Sequence, residues 1–151
     1  MIMGNQREYL ESGGFSRFLY EDHPDFQPFE YNGIKAKVIK LIADPDGNHS
    51  GLPSYANSSN IYLRVDKFGK VVQAKVYVDR KHTIDFDWGH PHRNKGEGTD
   101  GKSFPKGVVH VQCYSQTNSR DSNHARLMTD AEIAKYGAIL RHFNADVKFR
   151  P

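Results

Sequence analysis

The sequence contains one cysteine, Cys113, which excludes an internal disulfide framework. Its setting, Val109-His110-Val111-Gln112-Cys113-Tyr114, reads as a strand, and there the thiol is expected to be a small buried hydrophobe. His110 lies three positions away, on the opposite face of such a strand, which argues against a Cys–His nucleophile pair. No run of about 18 apolar residues occurs, so no transmembrane helix and no membrane partner are expected. The opening residues, Met1-Ile-Met-Gly-Asn-Gln-Arg-Glu8, lack an apolar core, so no secretory signal is expected. The expected location is the cytoplasm, or a target cell reached by a route without a signal peptide. Internal repeats and low-complexity linkers are also missing. A large charge of one sign is absent too: +3 over the chain does not by itself point to nucleic acid.

What is present suffices for a folded unit. A length of 151 residues fits a single domain spanning 1–151, and 37% apolar with 12% aromatic residues supplies a core. The charge is unevenly placed. From Asn60 to Cys113, ten Lys/Arg stand against six Asp/Glu, and half of the eight histidines fall there as well. The positive excess therefore coincides with a histidine cluster.

Periodicity predicts an α+β fold: an antiparallel four-stranded meander with an N-terminal helical segment and a C-terminal helix packed on it. A helical turn is predicted around Gln6–Glu11, stopped by Ser12-Gly13-Gly14, and a turn at Asp22-His23-Pro24-Asp25. Residues 34–43 alternate and then become apolar, which fits a strand or a short helix. Asp44-Pro-Asp-Gly-Asn48 ends them as a turn, and 51–60 is a polar loop. The clearest pattern follows: strands at 61–65, 70–78, 83–88 and 107–114, the first two joined by Asp66-Lys-Phe-Gly69. Residues 89–106 form a long polar loop with four glycines, a candidate functional loop. Thr129 and Glu132 make a capping box, and Ile133, Tyr136, Gly137, Leu140 and Phe143 fall on one helical face. Asp146–Phe149 is a candidate edge strand.

The chemistry concentrates between Tyr77 and Gln112. In 83–88, Asp85 and Asp87 share one strand face while Ile84, Phe86 and Trp88 share the other. The apolar face is expected inward and the carboxylates outward, near His90-Pro91-His92. His110 and Gln112 share a face on the last strand. If these strands pair, Asp85, Asp87, His90, His92, His110 and Gln112 meet on one polar surface. Gln73, Lys75 and Tyr77 share a face of their own strand, whose side depends on the register. Such a group suits metal-free RNA cleavage, in which a 2′-hydroxyl attacks the adjacent phosphate. That reaction needs a general base, a general acid and a cation. His90 and His110 are the candidate proton-transfer pair, with Asp85 or Asp87 orienting a histidine. Lys75 is the candidate phosphate contact, and Tyr77, His92, Arg93 and Gln112 are candidate substrate contacts. Trp88 offers a further stacking surface. No cofactor is expected on this reading. The same residues permit a His-x-His metal site completed by Asp87, Glu97 or His110. A non-catalytic accessory or binding protein, with Asp85 and Asp87 merely solvating a sheet face, is a third reading. His23, His49, His124 and His142 belong to no constellation and are expected at the surface.

Several of these residues also carry a resemblance. Ser58-Ser59-Asn60, Val65-Asp66-Lys67-Phe68-Gly69-Lys70, Lys75-Val76-Tyr77-Val78-Asp79 and Ile84-Asp85-Phe86-Asp87 are followed by His90, a glycine-rich loop, Pro105 and His110. Over roughly residues 51–114 this resembles the toxin domains of the barnase, EndoU, colicin and RelE-like nuclease superfamily, found in bacterial polymorphic toxins, prophages and mobile elements. Lys75 stands where that pattern has arginine, and the turn after Asp79 lacks its glycine. The resemblance implies a metal-independent endoribonuclease toxin acting on RNA, a hydrolase in the broad sense, with a cognate immunity protein as partner.

Overall fold

Residues 8–12 and 15–22 form strands. β1 (Glu8–Ser12) and β2 (Phe15–Asp22) pair antiparallel, with Glu8 opposite Tyr20 and Ser12 opposite Phe15. This overturns the expected helical turn at Gln6–Glu11. A helix stopped at Ser12 has too few turns to offset its nucleation cost. Two extended runs around a Gly-Gly pair carry the competing hairpin signal. The computed structural model describes residues 8–12, 15–43, 52–53, 55–56, 59–114, 121 and 123–151. The expected turn at Asp44–Asn48 lies outside them.

β3 (Phe29–Tyr31) and β4 (Ile34–Ala43) are joined by Asn32-Gly33, with φ of 49° and 78°. This pair of positive angles matches the right-handed twist of a two-residue hairpin. β4 settles the ambiguity of 34–43 in favour of a strand. Ala36 and Val38 are buried in one core cluster, and Ile39, of opposite parity, in another. Both faces of this strand are therefore covered, which explains why its alternation fades.

β5 (Ile61–Val65), β6 (Val71–Val78), β7 (Lys81–Asp87) and, later in the chain, β10 (His110–Cys113) are the meander the sequence predicts. The sheet extends beyond four strands, however. Its order is β1-β2-β4-β5-β6-β7-β10, with β3 also pairing with β4. All pairings are antiparallel except β4 with β5, where Ala36 lies beside Ile61 in parallel. The β5–β6 turn places Gly69 at φ 81°, and Asp66 Oδ1 accepts from the Phe68 and Lys70 amides. The β6–β7 turn uses Asp79 and Arg80 at φ 51° and 70°, a conformation that favours glycine. The strain is offset locally: Arg80 Nε donates to the Ala56 carbonyl, and the Ala56 amide donates to Arg80 O. Within the long 89–106 loop, β8 (His92–Arg93) and β9 (Ser103–Phe104) form a small antiparallel hairpin.

α1 (Asp130–Phe143) starts at the expected capping box. The Glu132 amide donates to Thr129 Oγ1 at 3.1 Å, and Glu132 Oε1 accepts the Thr129 amide at 2.9 Å. Tyr136, Ile139 and Leu140 pack on Ile61, Leu63, Ala74, Val76, Phe86, Trp88, Val109 and Val111, the inner face of the sheet. Each such aliphatic side chain contributes roughly 1.5–3 kcal/mol by leaving water. Ile139→Ala would cost about 2–5 kcal/mol. Residues after the helix tuck Val147 and Phe149 into this core. They add one parallel bridge, Val108 to Lys148, in place of the expected edge strand. Cys113 is exposed, contrary to expectation. It sits at the last position of β10, opposite the half-buried Ile84, where the cover over this face runs out.

Candidate active site

The second face of the sheet is polar, and the register assembles it. β7 pairs with β10 so that His110 lies opposite Asp87 and Gln112 opposite Asp85. β6 flanks β7 on the other side, with Gln73 opposite Asp87 and Lys75 opposite Asp85. β5 adds Arg64 beside Gln73 and Tyr62 beside Lys75, and β4 adds Lys37 beside Tyr62. Two transverse rows result: Arg64, Gln73, Asp87, His110; and Lys37, Tyr62, Lys75, Asp85, Gln112.

The rows do not face solvent, which corrects the expectation that Asp85 and Asp87 point outward into water. Asp85 and His110 are 0% exposed and Asp87 is 2% exposed. Residues 52–53 and 56, with the 89–106 segment, account for the cover. Leu52 and Ala56 are buried against Tyr20, Ile39, Tyr62 and Tyr77. Lys75 Nζ donates to the Leu52 carbonyl at 3.1 Å, and Tyr77 Oη donates to Pro53 O. On the β10 side, the Phe104 ring lies 5.9 Å from His110. Charges buried this way require partners. Arg64 Nε donates to Gln73 Oε1, which fixes the amide so that Gln73 Nε2 reaches both oxygens of Asp85 at 2.8 Å. Lys75 Nζ also sits 5.0 Å over the Tyr114 ring.

At the end of β7 the chain turns sharply and returns a histidine over the sheet. A Cβ on Gly89 would stand 2.8 Å from Val72 Cβ, so glycine is required there. The Gly89 amide donates to Asp87 Oδ1 at 3.1 Å. His90 Nδ1 donates to the Pro91 carbonyl at 2.8 Å, and its Nε2 faces Asp87 Oδ2 at 3.3 Å. The rings of His90 and His110 are 5.3 Å apart, centroid to centroid, and His92 stacks on His110 at 4.9 Å and 18°. One donor atom from each of Asp87, His90 and His110 lies within 4.8 Å of the others. The side chain of His90 is 51% exposed, while that of Asp87 is 4% exposed.

The other sequence-predicted residues divide. Gln112 belongs to the second row and is buried. His92 lines the cluster, and its Nε2 is buried without a hydrogen-bond partner among the described residues. Arg93, the next residue on β8, is exposed. Tyr77 is buried against Tyr62, ring centroids 5.1 Å apart, so its ring offers no open stacking face. Burial above all, then the neighbouring Tyr62 phenol and Asp85 carboxylate, push the Tyr77 hydroxyl well above its ordinary range. Trp88 is on the helix side of the sheet, 3% exposed. His124 and His142 are exposed, as expected, and His23 is half-buried; His49 lies outside the described residues. Sequence reasoning missed Lys37, Arg64, His82 and Tyr114. His82 is buried and meets Tyr114 edge-on at 3.8 Å. Strand parity alone groups Lys37, and separately Arg64, with a polar face, but only the register joins those faces to the histidines.

No protein-family model, no curated protein and no solved structure matches the chain.

Proposed function

We propose that this protein cleaves RNA by intramolecular transesterification, with His90 as the proton-transfer group. The observation that supports the reading most is the pairing of a half-exposed imidazole, His90, with a buried carboxylate, Asp87, at 3.3 Å. A carbonyl can only accept, so the hydrogen bond to Pro91 O places a proton on Nδ1 and leaves the Nε2 lone pair available. His90 Nε2 takes the proton of the ribose 2′-hydroxyl. The 2′-oxygen attacks phosphorus, the bond to the 5′-oxygen breaks, and a 2′,3′-cyclic phosphate forms. The leaving oxygen receives its proton from the imidazolium or from water. Asp87 lies beside the same nitrogen that takes the proton, unlike the far-side carboxylate of a Ser-His-Asp triad, and stabilises the imidazolium by its charge between those events.

His110 is a positioning residue in this scheme, since it is fully buried behind His90. Lys75 is likewise buried and tied to the Leu52 carbonyl, so it shapes the field of the site from beneath. The exposed Arg93 and Lys106, in the loop that follows His90, are the cations that stabilise the phosphorane. The reaction requires no metal. The test is incubation of purified protein with RNA in EDTA, with products resolved by end chemistry. Cyclic phosphate ends and a loss of about 10²–10⁴-fold on His90→Ala are expected. Intact RNA from the wild-type protein refutes the proposal.

A further inference from the structure

The His90–Asp87 contact has an unusual polarity. With its proton on Nδ1, a neutral His90 presents a lone pair to a carboxylate oxygen only 3.3 Å away. A proton on either atom, or a cation between them, makes that contact favourable. A His110 nitrogen also lies within 4.8 Å of both partners, so three donor atoms surround one point.

We infer that Asp87, His90 and His110 form a binding site for a divalent transition-metal ion of the zinc class. Tetrahedral zinc with bonds of about 2.0–2.2 Å sets its ligands roughly 3.3–3.6 Å apart, the scale of the contact already present. Rotation of the half-exposed His90 adjusts its own spacing to both partners, while the strand pairing of Asp87 with His110 sets the third. Two imidazoles and one carboxylate select zinc-like ions over magnesium or calcium, which prefer oxygen donors. The surroundings are those of orienting partners for ligands. Pro91 O holds the Nδ1 proton of His90, the Gly89 amide holds the second oxygen of Asp87, and the His92 ring stacks on His110. The exposed side of His90 leaves the fourth position open to water or to a substrate oxygen.

A metal on His90 Nε2 occupies the lone pair that the proposed RNA cleavage uses. That consequence rests on the cleavage reading, whereas binding itself does not. Zinc therefore inhibits cleavage, and a chelator restores it.

The experiment titrates the full chain, stripped with EDTA and dialysed, with zinc chloride by calorimetry. Cobalt(II) absorption reports coordination geometry. One ion per chain and a cobalt spectrum of tetrahedral intensity are expected. His90→Ala, at a half-exposed position, is expected to weaken zinc binding by at least 10-fold. His124→Ala, at an exposed histidine outside the cluster, should leave it unchanged. Circular dichroism of both variants checks that they fold. Absence of stoichiometric zinc, or binding that survives His90→Ala and is lost in His124→Ala, overturns the inference. RNA cleavage in EDTA without zinc binding removes the metal site and spares the function. Zinc binding with RNA left intact in every condition keeps the site and removes the function. Cleavage that requires zinc keeps the site and removes the metal-free mechanism.

Discussion

Asn94 clamps Ala125 from both sides of its amide: Oδ1 accepts the Ala125 amide and Nδ2 donates to the Ala125 carbonyl, each at 2.9 Å. The same Nδ2 reaches Asp100 Oδ1 at 2.9 Å. One buried side chain thus ties the segment bearing His92 to its own loop and to the stretch before α1. The Asn94–Asp100 bond lowers the Asp100 carboxyl below its ordinary range, and the Lys102 amide lowers it further.

Asn94→Ala leaves a buried amide and carbonyl unsatisfied. It should destabilise the protein by about 2–4 kcal/mol. Urea unfolding with an unchanged m-value would show this. A change under about 0.5 kcal/mol would mean that water replaces the clamp without loss.

Gly89→Ala places its new methyl 2.8 Å from Val72 Cβ, with the Val72 γ-carbons at 3.2 and 3.3 Å. The turn must shift, carrying His90 away from Asp87. RNA cleavage and zinc affinity should both fall by about 10-fold or more, more steeply than stability does. Adding Val72→Ala should restore part of both, because the clash then has room to relax. No recovery in the double variant would place the damage in the backbone rather than in this contact.

Phe68 is 76% exposed at the β5–β6 turn, beside Lys67 and Lys70. It borders a groove of about 450 Å³ whose lining includes Trp88, Gly89 and Lys106. If RNA is the substrate, a base stacks there. Phe68→Ala should weaken single-stranded RNA binding by about 5–100-fold at constant thermal stability. Fluorescence anisotropy measures the first quantity and a melting curve the second.

His124 Nδ1 lies 3.0 Å from Asp121 Oδ2. Their hydrogen bond, followed by simple charge attraction, raises the His124 titration. On Asp121 the same bond outweighs desolvation and lowers its titration. The histidine's share of stability is full below its unfolded value near 6.5 and fades as pH rises through its folded one. The carboxylate's share fades as pH falls through its own lowered value. NMR titration should place the His124 midpoint above 6.5, and Asp121→Asn should bring it down. An unchanged midpoint in that variant would exclude the pair.

How much of this was legible in the sequence follows from what each signal encodes. Thr129 and Glu132 specify a helix start through contacts three residues apart, so the capping box was readable. Asp66-Lys-Phe-Gly69 specifies its turn in the same local way. The rows joining Arg64, Gln73, Asp87 and His110 depend on register across strands, which no local pattern carries. The cover over Lys75, opposite Asp85 in its row, comes from Leu52, far away in the chain. Strand parity placed Asp85 and Asp87 on one face correctly but took a polar face to be a wet one. Glu8–Ser12 was misread because a five-residue segment holds too little periodicity to separate helix from strand.

The parallel contact between β4 and β5 bears on the order of assembly. β5, β6 and β7 follow one another through short turns, so they collapse with little loop entropy to overcome. β4 must find β5 with the same chain direction, across a connection much longer than a hairpin turn, before Ala36 meets Ile61. Contacts of that kind form late in a chain's collapse. The aspartate and histidine strands β7 and β10 lie on the far side of the early hairpins from this seam, and Lys37 joins their polar row only once the seam has closed.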